Sequence, residues 1–369
     1  MRVQLNDILR EISMKTTIND QYPVLTSSKS GLYLQSDYFN KQVASKNNIG
    51  YKIIKRGQFT YRAMSDTGEF FPNMLECTDV GIVSPAYPVF EITNTDLILP
   101  EYLKYYFKSS VFQYSIASFV QGSTRTSVKY GKLKTISIEL PTKEEQYMIV
   151  EILCCVEKII AKRKTQLQQL DELVKSRFVE LFGDCKNMVA LNELCSVITD
   201  GTHQPPRFQN EGIPFIFVSN LANNTVTYNT EKFISEETYN ELIKRTHIEL
   251  GDILLSTVGS YGHPAVVVEE RKFLFQRHIA YLKPKRSLVN SFYLHSALLA
   301  PEGQRQIEEK VKGIAQKTLN LSEIRKIMIP IPSIEEQNSF ESFIKQVDKS
   351  KFCVINYLRK IQLIKGELL

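Results

Sequence analysis

From Glu144 to Phe182 the chain contains neither proline nor glycine, and apolar residues fall at Ile149, Leu153, Val156, Ile160, Leu167, Leu170, Val174, Phe178 and Leu181. Steps of three and four put these positions on one helical face, so the pattern predicts one long helix with an apolar seam, interrupted at Arg163. At 1.5 Å per residue it spans on the order of 55 Å. A second run, Glu335 to Leu369, places Phe340, Ile344, Val347, Val354, Leu358 and Ile361 in a similar seam, which Lys351 and Lys365 weaken. Just before each run the period changes. In LKTISIELP and IRKIMIPIP isoleucine alternates with polar residues, the signature of a strand with one buried face.

These similarities belong to an internal repeat. Residues 121–146 lie over 312–337 without a gap: Gly122 on Gly313, Lys134 on Arg325, Ile136 on Ile327, Ile138 on Ile329, Pro141 on Pro332, and Glu144-Glu145-Gln146 on Glu335-Glu336-Gln337. The same offset puts Tyr102-Leu103 on Tyr293-Leu294. A register shared over some forty residues marks two copies of one module. Each copy reads as a short helical pattern (EYLKYYFKSSVFQ, NSFYLHSALLAPEGQRQI), a glycine-containing loop and a strand. A proline then stops the strand, and Thr142 or Ser333 stands at an N-cap ahead of acids that favour a first turn. Taken singly, each long helix can pack on its own domain. Connectivity favours pairing: the first helix carries the chain out of one globular part and the second leaves the other with a matching seam, so paired seams would run antiparallel.

At this point the sequence resembles the specificity (S) subunits of type I restriction-modification systems over essentially its whole length. The resemblance rests on the order of recognition domain, helix, recognition domain, helix, and on the strand-Pro-x-x-x-Glu-Gln junction before each helix. VLTSSKSGLYLQSDYFNKQVASKN and GIVSPAYPVFEI look like one type of target recognition domain. ITDGTHQPPRFQNEGIPFIFVSN, GDILLSTVGSYGHPAVV and FQRHIAYLKP look like another. The resemblance implies an α+β fold: target recognition domains over 1–143 and 184–334, separated by spacer helices over 144–183 and 335–369 in a long antiparallel two-helix coiled coil with pseudo-two-fold symmetry. It also implies recognition of a bipartite double-stranded DNA site, one domain per half-site, with the helices as a ruler.

The residues themselves supply candidates for DNA contact, each with a plain structural alternative. TDGTHQPPRF is a turn-rich loop. Its Thr202, His203, Gln204 and Arg207 can donate to base edges or phosphates, or can simply hold the loop. Ser256, Ser260 and Tyr261 lie on a glycine-bracketed turn after DILL, where a tight turn is the competing reading. Gln276, Arg277 and His278 follow the strand-like FLF, and glutamine and arginine are the side chains that pair with adenine and guanine in the major groove. An arginine ending a strand also serves as a surface ion-pair partner. In the first domain the parallel candidates are Ser27, Ser28, Lys29, Tyr38, Lys41, Arg62 and Ser84. The loops QGSTRTSVKYGK and KGIAQKTLN occupy the same place in both copies, which suits backbone contact better than base reading, so Arg125, Lys129, Lys312 and Lys317 are assigned to phosphates.

Composition is permissive. A hydrophobic fraction of 43% over 369 residues is enough for two cored domains, and a formal charge of +6 suits a polyanionic partner without requiring one. Six cysteines form no CxxC pair and five histidines form no ligand pattern, which points to reduced thiols, no metal and a cytoplasmic protein without signal peptide or membrane span. No phosphate-binding loop is present. QPPR at 204–207 imitates a methyltransferase tetrad with the wrong first and last residues, and Glu308-Glu309-Lys310 imitates a nuclease element inside a polar helical stretch. The expectation is therefore a non-catalytic recognition chain with no cofactor of its own. By resemblance, Arg163, Lys164, Gln168 and Lys175 on the first helix would dock two methyltransferase (M) subunits, and restriction/translocase (R) subunits would join them. S-adenosylmethionine, Mg and ATP would belong to those partners. A self-contained methyltransferase or nuclease, and a coiled-coil scaffold with protein-binding heads, are the alternatives.

Overall fold

The structure, a computed structural model, describes residues 1–38, 47–120, 126–313 and 316–368. The two alternating runs form the short strands Ser137–Glu139 and Met328–Pro330. Each pairs antiparallel with a strand that opens its copy: Arg2–Gln4, with Val3 opposite Ile138, and Met188–Ala190, with Val189 opposite Ile329. The pairing continues identically, Leu5 N donating to Ile136 O at 2.9 Å and Leu191 N to Ile327 O at 2.9 Å. VQLNDIL and VALNELC are thus a further part of the repeat. Their offset differs from that of the later stretch, so a gapless overlay misses them.

The chain forms two compact units, Met1–Lys162 with Tyr357–Leu369, and Arg163–Asn356. In the first, a four-stranded antiparallel sheet has the order Leu9–Ile12, Val89–Ile92, Phe59–Thr60, Asn73–Met74. In the second, Cys195–Asp200, Ile279–Pro284, Ile253–Ser256 and Pro264–Val266 take the same order. Phe59, Phe90, Phe107 and Phe112 build the first core, with centroids as close as 4.9 Å between Phe107 and Phe112. The second unit adds a three-stranded sheet, Phe233–Ile234, Ile213–Ile216 and Leu274–Phe275, over a separate cluster that includes Phe215 and Leu274.

The long helices run Lys143–Phe182 and Ile334–Leu368. Each begins on a reciprocal cap. Thr142 N donates to Glu145 Oε2 at 2.7 Å while Glu145 N donates to Thr142 Oγ1 at 3.3 Å; Ser333 N donates to Glu336 Oε2 at 2.9 Å while Glu336 N donates to Ser333 Oγ at 3.3 Å. The Ser333 hydroxyl, donating to Glu336 Oε2 at 2.8 Å, and then the Ser333 N–H hold the Glu336 carboxyl below its usual pKa.

The glutamine that follows does something the sequence did not announce. Gln146 is fully buried, accepting from Leu99 N at 2.9 Å and donating to Leu97 O and Pro141 O. Gln337 is fully buried too, accepting from Asn290 N at 2.9 Å and donating to Leu288 O and Pro332 O. In both copies one side-chain amide ties the long helix to the backbone just before the short helix Pro100–Tyr106 or Ser291–Leu299.

Within each unit the two long helices pair antiparallel. In the first, Lys365 Nζ lies 2.6 Å from Glu157 Oε1, and Leu368 shares a cavity wall with Ile149 and Leu153. In the second, Lys351 pairs with Asp171 at 2.7 Å and Phe340 packs on Phe178 and Phe182. Lys351 and Lys365, which look like flaws in the seam, keep their stems between the helices while their ammonium groups meet acids on the other helix. The seam itself is corrected at one position: Leu181 is 47% exposed, and Phe182 is buried in its place. A residue four after Phe178 stays on its face better than one three after, and Phe182 meets Tyr293 at 5.1 Å. Among the described residues no helix is long and apolar enough to cross a membrane.

Candidate nucleic-acid interface

In the second unit four loops are stitched side by side through their backbones. Strand Cys195–Asp200 ends in Gly201, and Thr202 N donates to Phe275 O at 2.9 Å while Arg277 N donates to Thr202 O at 3.0 Å. Thr257 N donates to His278 O at 2.9 Å, which joins the 257–262 turn to the other edge of the 276–278 loop. Leu319 N then donates to Thr257 O at 2.8 Å, and Val258 and Lys312 both bridge Thr318. The result is one continuous strip that brings together Thr202, His203, Ser260, Tyr261, Gln276, Arg277, His278, Lys312 and Lys317. Gln204 and Arg207 follow on the exposed part of the first loop.

Gly201 is what permits the first join. A Cβ there would stand 2.2 Å from Phe275 O and 2.6 Å from Gln276 O, so no side chain fits while the loops touch. His203 Nε2 lies 2.9 Å from Asp200 Oδ2, which fixes the ring at the strand end. Arg277 Nε donates to His278 Nε2 at 3.4 Å. Burial first, and the Arg277 charge second, push the His278 pKa down, so the ring is neutral, accepts at Nε2 and keeps an Nδ1 proton to donate. Lys317 lies over Tyr261, 5.8 Å from the ring centroid, and pairs with Glu308 at 3.8 Å; Lys312 pairs with Glu323 at 3.5 Å. The Lys317 pair is exposed, where such a contact is weak enough for a phosphate to replace the acid, and Lys312 is itself exposed.

Ser256 does not belong to the strip's surface, which corrects its assignment to DNA. It is the last residue of a strand, fully buried, and its Oγ accepts from His263 N at 2.9 Å, bracing the turn from beneath. At the other end of that strand Asp252 is also fully buried, with Tyr281 Oη at 2.7 Å and Glu249 N at 2.8 Å from Oδ2 and no partner for Oδ1. Tyr281 Oη is also 2.6 Å from His247 O. One hydroxyl proton cannot serve both acceptors. A protonated Asp252 that donates to Oη would free the tyrosine to donate to His247 O. Burial pushes the Asp252 pKa up, so the folded state holds a proton that the unfolded chain releases near pH 3.9. This contribution is greatest below that pH and is lost as pH rises through the folded value. Asp252→Asn is expected to gain stability relative to the parent as pH rises above about 4 in urea denaturation; a difference that stays constant with pH would refute it.

In the first unit Ser27, Ser28, Lys29 and Arg62 line one open cleft of about 270 Å³ together with Thr67 and Phe71. The serine turn is placed by Asn73, buried in the sheet, whose Nδ2 donates to Ser27 Oγ at 3.1 Å and Ser28 O at 2.8 Å. Lys29 pairs with Glu69 at 3.0 Å and lies 5.1 Å from the Phe71 centroid; Arg62 pairs with Asp66 at 3.6 Å. Val128 N donates to Ala63 O at 3.1 Å, as Leu319 N does to Thr257 O, so the repeated loop docks at the same place in both copies. Lys129, the exposed N-cap of Tyr130–Leu133, follows it. Ser84 stands apart from the cleft, with its Oγ accepting from Ala86 N in a Ser-Pro turn. Lys41, Arg125 and the Tyr38 side chain lie outside the described residues.

On the first long helix Lys164 and Gln168 are exposed. Arg163 is half-buried and donates to Gln166 Oε1 at 2.7 Å, and Lys175 is half-buried beside Glu172 at 3.7 Å. Glu308 and Glu309 sit on the solvated face of Pro301–Lys310, with Glu309 paired to Arg305 at 2.5 Å. Among the described residues no cluster of His, Cys, Asp or Glu is placed to hold a metal. The signal for Gly201 and Asn73 was present only as a glycine after a strand and an asparagine in an apolar context, FPNML.

A profile of the type I restriction modification DNA specificity domain matches residues 3–172 and again 185–364, one match per copy of the repeat. The chain belongs to that family. It is similar to the EcoBI specificity subunit of Escherichia coli, 31% identical over 147 residues that cover 40% of this chain and 31% of that one. The MjaIX specificity subunit of Methanocaldococcus jannaschii is 26% identical over 298 residues, 74% of this chain and 67% of that one. The chain thus spans about a third of the first relative's length and two thirds of the second's. A solved chain from a type I restriction-modification system matches with a TM-score of 0.60 at 19% identity, covering 100% of this chain and 96% of that one, a likeness of fold. As a member of the specificity-domain family, the chain has the mixed helix-and-strand repeat that its sequence anticipates.

Proposed function

We propose that this chain is the DNA sequence-specificity subunit of a type I restriction-modification complex, reading a bipartite duplex site with one recognition domain per half-site. The observation that carries this reading is the second unit's stitched strip, where base-edge donors (Gln276, Arg277, His278, His203) sit beside phosphate-binding cations (Lys312, Lys317). The first unit offers its own cleft with Ser27, Ser28, Lys29 and Arg62. Their different side chains on a repeated frame suit two different half-sites. Phosphate contacts set position while base contacts set sequence.

The two long helices set the number of unread base pairs, and the exposed polar positions Lys164 and Gln168 take part in docking two methyltransferase subunits. Restriction/translocase subunits complete the complex. The chemistry of S-adenosylmethionine, Mg and ATP resides in those partners, and this chain supplies specificity without catalysis.

Exchanging residues 190–330 for the matching domain of a relative is expected to change one half of the methylated sequence and leave the other intact. Methylome sequencing of a host carrying the complete system reads this directly. Changes in both halves would defeat the modular assignment.

A further inference from the structure

The repeat lets one unit be compared with the other side chain by side chain, and at one place the two copies part. In the first unit Tyr105 bridges the gap between its short helix and the long helix: its ring is buried and Oη donates to Glu157 Oε2 at 2.9 Å. Tyr105 and Glu157 correspond, in the register of the repeat, to Ser296 and Asp348. Ser296 turns its hydroxyl back to Phe292 O at 3.0 Å. Ser296 and Asp348 both line a cavity of about 370 Å³ whose walls combine Phe292 and Ile344 with the charged Asp171, Lys175 and Lys351. A first-unit cavity of about 380 Å³ excludes Tyr105 and is walled by charged side chains, Glu76, Lys104, Lys108 and Glu157. The second-unit cavity has more apolar than polar wall, and a carboxylate stands there at the position that accepts a phenol in the other copy.

We propose that this cavity is a binding site for a single phenol group, with the ring between the helix Ser291–Leu299 and the two long helices and Asp348 accepting its hydroxyl proton. Size permits it, since a cavity of about 150 Å³ already holds a benzene ring. Asp348 is half-exposed and has Lys351 Nζ at 3.5 Å, an arrangement that leaves carboxylate acceptor capacity free. The ring of His295 lies on the cavity wall with Nε2 3.1 Å from Asn224 O, and burial holds its pKa down.

The test is titration of the full chain with p-cresol, toluene and N-acetyltyrosinamide, followed by ligand-observed NMR. Saturable binding of p-cresol is expected, with toluene about tenfold weaker for want of the hydroxyl. Ser296→Tyr supplies the ring from within and is expected to abolish binding. Asp348→Ala is expected to weaken p-cresol about tenfold and leave toluene unchanged. Binding of N-acetyltyrosinamide as well would identify the source as a tyrosine on another polypeptide; binding of p-cresol alone would identify a free small phenol. The proposal falls if p-cresol shows no saturable binding, or if a folded Ser296→Tyr variant binds it as the parent does. Should Ser296→Tyr fail to fold in a thermal melt, unchanged preference for p-cresol over toluene in Asp348→Ala would overturn the proposal equally.

Discussion

Replacing Gln337 by leucine is expected to destabilise the second unit by roughly 2 to 3 kcal/mol. Leucine is close in volume, so the loss is one of hydrogen bonding. The substitution leaves Asn290 N without its acceptor, and Leu288 O and Pro332 O without their donor, at partly buried positions around a fully buried side chain. Each buried group left unpaired costs about 1 to 3 kcal/mol. Asn290 is also the N-cap of Ser291–Leu299, accepting from Phe292 N and Tyr293 N, so a shifted Asn290 loosens that helix in turn. Gln337→Glu should be no rescue, because a carboxylate offers two carbonyl oxygens no proton. The midpoint of urea denaturation measures the effect, and Gln146→Leu should repeat it in the first unit. A Gln337→Leu protein within about 1 kcal/mol of the parent would show that the amide is incidental.

Gly201→Ala is expected to weaken binding of the second half-site at least tenfold while the first half-site is still contacted. The added methyl meets Phe275 O and Gln276 O, which are backbone and cannot rotate away. Relief requires the 201–207 loop to withdraw, which breaks the Thr202 N to Phe275 O and Arg277 N to Thr202 O hydrogen bonds. Overpacking of this kind costs about 1 to 3 kcal/mol of stability. The larger consequence is geometric: His203 and Gln204 part from Gln276 and Arg277, and a base edge that two loops address together is addressed by neither. Binding measured on duplexes with one half-site scrambled separates the two contributions. Full parental affinity for the second half-site in Gly201→Ala would mean the strip is not the reading surface.

The pattern of apolar positions by itself determined the long helices, the strands before them and the repeat, because those features depend on local periodicity and on caps that lie within three residues of one another. Thr142 with Glu145 and Ser333 with Glu336 are legible at that range. The purpose of Gln146 and Gln337 was not, since a glutamine after two acids reads as part of a helix start until its distant backbone partners are in place. The same holds for Lys351 and Lys365, which look like defects until Asp171 and Glu157 stand opposite them. For the candidate interface, residue chemistry singled out loops that the fold brings side by side in the second unit, and Ser27, Ser28, Lys29 and Arg62, which line one cleft in the first. It could not tell that Ser256 faces inward while Ser260, four residues on, is exposed. It could not tell that Ser84 serves its own turn, or that Gly201 and Asn73 place their neighbours. Those outcomes are contacts between segments far apart in the chain, set by which strand lies beside which, and only the folded backbone decides them.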